Sequence, residues 1–71
     1  MKCRVDLKTW IAGVGFTITE TFDNLEEYCS ASDYIKSLDD PLDIPPDGDI
    51  LVEIRDTENN KLSEAWASEV Q

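Results

Sequence analysis

The chain of 71 residues carries sixteen Asp and Glu against six Lys and Arg, a net charge of −10, with no histidine and two cysteines. That charge excludes nucleic acid and anionic lipid as direct ligands, since both are polyanions, and the composition excludes imidazole acid–base chemistry and His-ligated metal. The length suits one domain, residues 1–71, which on folding buries about 60% of its extended surface; the longest uncharged stretch, Thr9 to Thr19, has eleven residues against the roughly 20 of a membrane-spanning helix.

Met1 is not followed by the cationic-then-apolar start of a signal peptide, so a cytoplasmic protein with reduced thiols is expected. Cys3, Val5, Leu7 and Ile11 alternate with Lys2, Arg4, Asp6 and Lys8, the period of a half-buried strand. Gly13 and Gly15 give the freedom for a tight turn. The segment Phe16 to Phe22 alternates again, with Phe16, Ile18 and Phe22 on one face and Thr17, Thr19 and Thr21 on the other. Branched threonines favour extended backbone and suit an exposed or partner-facing surface. The two segments are predicted to form a hairpin.

Asp23 and Glu26 have the spacing of a capping pair at a helix start. Leu25, Tyr28, Cys29, Ser32 and Ile35 then recur at helical intervals, closed by Leu38. The Ser30–Asp33 segment is a second candidate cap. A crossover rich in Asp and Pro, residues 39–48, leads to a third strand in which Ile50, Val52 and Ile54 alternate with Leu51, Glu53 and Arg55. Asn59 and Asn60 make a turn, and Lys61 to Ala67 a fourth strand with Leu62 and Trp66 on one face. The expected fold is α+β: a small antiparallel β-sheet with one helix packed on a face, in β-β-α-β-β order.

Charge is distributed unevenly. Residues 1–19 hold three bases and one acid, a balance of +2; residues 20–71 hold three bases and fifteen acids, a balance of −12. The run from Asp43 to Ile50 resembles a calcium loop, but Pro45 and Ile54 stand where two ligands belong, one of them the bidentate carboxylate. No metal or cofactor is expected. Carboxylate pairs such as Glu26/Glu27 or Asp39/Asp40 need a walled cleft to raise one pKa before they do acid–base work, and a domain this small offers little of one. The chain is therefore read as no enzyme, with no catalytic residues. Cys3 and Cys29 fall on apolar faces and are expected to pack as small hydrophobes. Phe22, Tyr28, Leu62, Trp66 and Trp10 are the candidates for apolar contacts amid the acids; otherwise they are core residues, with Trp10 and Trp66 a credible cross-sheet pair.

Glu20-Thr21-Phe22, followed by Leu25-Glu26-Glu27-Tyr28 and later by Asp49-Ile50-Leu51-Val52, resembles the phage uracil-DNA glycosylase inhibitors. Those proteins mimic DNA with an edge strand bearing a Glu-Ser-apolar triplet, a helix opened by a Glu-Glu pair, and a strand that can read Asp-Ile-Leu-Val. The resemblance implies that Glu20, flanked by Thr21 and Phe22, takes the place of a DNA phosphate. Glu26 and Glu27 would then be acidic helix contacts, with Tyr28, Val52 and Leu62 lining a pocket for the enzyme's intercalating side chain. Thr21 replaces the family's Ser, Phe22 its smaller aliphatic, and Glu64 stands where a further pocket residue would be. The implied partner is a basic DNA-binding enzyme, uracil-DNA glycosylase, held by a monomer in a 1:1 complex in the host cytoplasm. Two other inhibitor classes share the length, charge and α+β look: phage anti-CRISPR proteins acting on a surveillance complex, and antitoxin-like binders of a basic ribonuclease. A small acidic adaptor is the non-inhibitor alternative.

Overall fold

The computed structural model describes residues 2–23 and 30–71, except the side chains of Phe22 and Asp23. Four strands form one antiparallel sheet: β1 (Cys3–Ile11), β2 (Gly15–Asp23), β3 (Gly48–Asp56) and β4 (Lys61–Trp66), in the order β2-β1-β3-β4. Two short helices, α1 (Ala31–Ser37) and α2 (Ala67–Val70), complete a small α+β fold. The strands with the strongest apolar alternation, β1 and β3, take the centre. In the β1–β2 turn the Val14 N–H donates to the Ile11 carbonyl at 3.0 Å. Gly13 (φ 85°) and Gly15 (φ 87°) adopt the left-handed backbone that side chains disfavour.

Alternation sends Cys3 and Val5 of β1, and Ile50, Val52 and Ile54 of β3, to one face of the sheet. There they form a buried cluster with Ala31 and Ile35 of α1 and Ala67 of α2. Leu42 and Ile44 of the crossover pack against its border. Small and branched side chains make up this core, and no aromatic ring is fully buried among the described residues. The domain is accordingly a thin slab, 36 × 24 × 15 Å. No helix among the described residues is long and apolar enough to cross a membrane.

The helix differs from the sequence expectation. Asp23 is the last residue of β2, and α1 begins at Ala31, with Ser30 in extended conformation accepting the Asp33 N–H at 3.2 Å. The second candidate cap is the one used here, because its hydroxyl satisfies an orphan helix donor. The Ala31 N–H is taken by Ser63 Oγ of β4 at 3.0 Å, which ties the helix start to the sheet. Ala31 and Ile35, four apart, are the residues α1 buries. The remaining stripe positions Leu25, Tyr28 and Cys29 lie outside the described residues.

Two further differences concern the end of the chain. β4 stops at Trp66, and residues 67–70 form α2, for which the sequence reading had no helix. Trp10 and Trp66 are not a cross-sheet pair. Trp10 stands opposite Asp49 and Trp66 opposite Leu51, two strands apart and one step out of register.

Candidate protein-interaction surface

The sheet face turned away from the helices is ordered in rows, because antiparallel registers bring equivalent positions into line. Arg4, Arg55 and Lys61 form a cationic row across three strands, which at β2 ends on Phe22. The next row is acidic on all four strands: Glu20, Asp6, Glu53 and Glu64. Beyond it come Ile18, Lys8, Leu51 and Trp66, and then Phe16, Trp10 and Asp49. Neighbours along a row sit about 4.8 Å apart and successive rows about 6.8 Å apart. Like charges directly opposite destabilise a sheet, so the acidic row depends on the cations flanking it.

Those cations close on the two central acids. Glu53, buried on an otherwise open face, accepts Lys8 Nζ at 2.8 Å and Arg55 Nη2 at 3.2 Å, with Lys61 Nζ at 4.0 Å. Asp6, also buried, meets Arg4 Nε at 2.8 Å and Arg55 Nε at 3.5 Å, and accepts a hydrogen bond from Arg4 Nη2 at 3.1 Å. Burial works to raise the Glu53 pKa, but the hydrogen bonds and charges of Lys8 and Arg55 outweigh it and hold the carboxyl below its ordinary range. The basic side chains whose heads meet these carboxylates stay partly exposed, so the cations keep contact with water while the acids do not. Glu20, the member of the row on edge strand β2, is exposed, and no ion pair reaches it among the described residues.

At the other end of the same face the exposed side chains are apolar. Phe16 is 54% and Ile18 58% exposed, and Trp10 is 38% exposed beside them. The sequence reading placed Phe16 and Ile18 opposite the threonines and the threonines on an exposed or partner-facing strand; Thr17 and Thr19 are exposed, and the hairpin register adds which face each set occupies. Val5 pairs with Thr21 and Leu7 with Thr19, so the threonines share the helix side with the inward residues of β1, and Phe16 and Ile18 face outward. The signal was present: once the turn pairs Ile11 with Gly15, every later β2 position has its face set by β1.

Asp49 closes the row pattern and has a structural duty. It accepts the backbone N–H groups of Ile50 at 2.8 Å and Ser68 at 3.2 Å, and also the Ser68 hydroxyl. Trp66 at the N-cap of α2 supplies no side-chain cap, so an acid from β3 takes that role. Burial raises the Asp49 pKa, and the Ser68 and Ile50 hydrogen bonds more than reverse this, leaving it below the ordinary value. Asp49→Ala is expected to lower unfolding free energy by about 1 kcal/mol in urea denaturation, with faster amide exchange at Ser68.

Of the residues singled out in the sequence, those described do not come together as one pocket. Glu20 stands on the edge strand and Thr21 is half-buried on the opposite face. Val52 is fully buried in the core, which corrects its assignment to a partner-facing pocket: its alternation with Glu53 sends it to the helix side. Leu62 is 45% exposed, but on β4, at the far edge of the sheet from Glu20, beside a register shift. Three strand spacings, about 14 Å, separate those edges. Glu26, Glu27 and Tyr28 lie outside the described residues, and of Phe22 only the backbone position is described. Among the described residues no three Cys, Asp or Glu side chains are grouped to hold a metal ion.

Comparison with known protein families, with curated proteins and with solved structures gives no match.

Proposed function

We propose that the protein is a non-catalytic inhibitor that binds the cationic DNA-binding cleft of a host enzyme as a DNA mimic, with uracil-DNA glycosylase as the target. The observation that carries this reading is the segregation of charge. The rows of the open sheet face hold five acids and four bases, close to neutrality. The rest of the chain holds eleven acids against two bases, Lys2 and Lys36. Among the residues described with their side chains that remainder is eight acids and the two bases, and exposed Asp33, Asp39, Asp40, Asp43, Asp47 and Glu69 among them belong to the helices and the crossover. Such a field attracts a basic partner over several ångströms and weakens with salt. Glu20, exposed on an edge strand within a Glu-Thr-Phe triplet, supports the edge strand as the specific contact.

The setting proposed is the host cytoplasm, with one inhibitor per enzyme. A uracil-excision assay with stoichiometric protein at low salt tests the target, with loss of activity the expected result. Undiminished excision at several-fold excess rejects the glycosylase, and binding indifferent to salt rejects mimicry altogether. Within this reading Glu20→Ala should weaken inhibition by about tenfold, and Asp40→Ala by less than about threefold, since a central contact outweighs a peripheral charge. Equal losses would assign recognition to bulk charge.

A further inference from the structure

The two edges of the sheet are unlike. β4 has six residues, carries Lys61 and Glu64, contains a register shift and runs directly into α2. Short length, charge and irregular register are the devices by which edge strands avoid pairing with other chains. β2 has nine residues, Gly-Phe-Thr-Ile-Thr-Glu-Thr-Phe-Asp, and pairs with β1 in unbroken register. It has no Lys and no Pro, and four of its inner residues are branched at Cβ, which suits extended backbone. Among the described residues no strand other than β1 pairs with it. Every second residue of such an edge directs its N–H and C=O outward, ready for another strand.

We infer that β2 is a strand-acceptor site: it binds an extended, cationic segment of a protein partner, which adds to the sheet as a fifth antiparallel strand. This names the contact of the acidic binder proposed above. The direction follows the rest of the sheet, which is antiparallel throughout. Outward-facing Phe16, Ile18 and exposed Glu20 then set the order of side chains on the incoming strand. Read from its N-terminus, a cation falls opposite Glu20, an apolar residue opposite Ile18 and a second apolar residue opposite Phe16. The intervening positions face Thr19 and Thr17 on the other side. Charge selects this occupant over a second copy of the chain, which would bring another net charge of −10, its own Glu20 included, to the same edge.

The probe is a synthetic peptide containing Lys-Thr-Ile-Thr-Phe, set against the same peptide with Glu in place of Lys. Binding is followed by tryptophan fluorescence, which reports Trp10 beside the site, and by amide exchange along β2. Saturable binding of the Lys peptide with slowed exchange at β2 is expected, and the Glu peptide should bind at least about tenfold more weakly. Ile18→Lys should weaken the Lys peptide by about tenfold or more. Val14→Lys, the same change of charge at the 73% exposed hairpin tip, should do so by less than about threefold. Equal losses in the two variants, equal binding of the two peptides, or no binding at all would overturn the acceptor site. Concentration-dependent dimers in sedimentation that Ile18→Lys abolishes would assign the edge to a second copy. The peptide titration needs no glycosylase, so an inactive inhibitor and an unoccupied edge give separate results.

Discussion

Glu53→Ala should remove about 2–4 kcal/mol of unfolding free energy in chemical denaturation. Taking one member out of a buried charge cluster leaves its partners uncompensated, at about 3–5 kcal/mol when all are sealed from water. Lys8 and Arg55 keep a quarter and a fifth of their side-chain surface exposed, and hydration recovers part of that loss. Against the roughly 4–10 kcal/mol expected of a domain this size, the variant stands near the folding threshold. Lys8→Met in the same background should restore some of the loss, and a double-mutant cycle measures the coupling.

The same carboxylate gives the fold a dependence on acid. Because its folded pKa is depressed below the ordinary 4.5, Glu53 contributes stability that is fully present above that value. The contribution disappears as the pH falls through the lowered folded value. Glu53→Gln should therefore lose less stability than the unaltered protein between pH 5.5 and about 3. Parallel melting curves for the two over that range would remove Glu53 as the source.

Gly48→Ala is expected to cost about 3 kcal/mol, the upper end for overpacking. A Cβ on Gly48 would lie 1.9 Å from the Trp10 carbonyl oxygen and 3.0 Å from the Ile11 Cα, both backbone atoms of β1 that cannot rotate away. The strain therefore falls on the end of the β1–β3 ladder and on the backbone that sets Trp10 on the open face. Gly15→Ala is the informative contrast. Its φ of +87° disfavours a side chain, but a Cβ there meets nothing within 4 Å, so the loss should be about 1–2 kcal/mol of backbone strain. Thermal denaturation that ranked Gly15→Ala as the more damaging would contradict the geometry.

The strands were legible because their signal is local. Alternation in residues 3–11 and 48–56 gave two strands, and the glycines around Val14 gave the hairpin between the first pair. What alternation cannot fix is which face of β2 turns inward, since Phe16/Ile18 and Thr17/Thr19 alternate equally well. That is decided by the register with β1, a contact between segments. The same limit explains Glu53 and Asp6. In the sequence they read as surface acids in an acidic chain, and only the alignment of strands shows cations from β1, β3 and β4 converging on them. α2 lacked any side-chain cap of its own, because its cap, Asp49, comes from 19 residues away. Glu20 on an edge strand agrees with the sequence reading, whereas Val52, alternating with Glu53 on β3, belongs to the core.

The near-neutral sheet face and the acidic helical side also give this small slab an electric polarity, and polarity turns as well as attracts. Two proteins that collide at random must search orientations before they dock, which lowers association rates from the diffusion limit of about 10⁹ M⁻¹s⁻¹ to about 10⁵–10⁷. With eight acids and two bases off one face of its sheet among the residues described with their side chains, the molecule feels a torque near a basic surface and rotates as it approaches. Near such a surface the helical layer leads and the open sheet face is held away, with β2 at the border between the two sides.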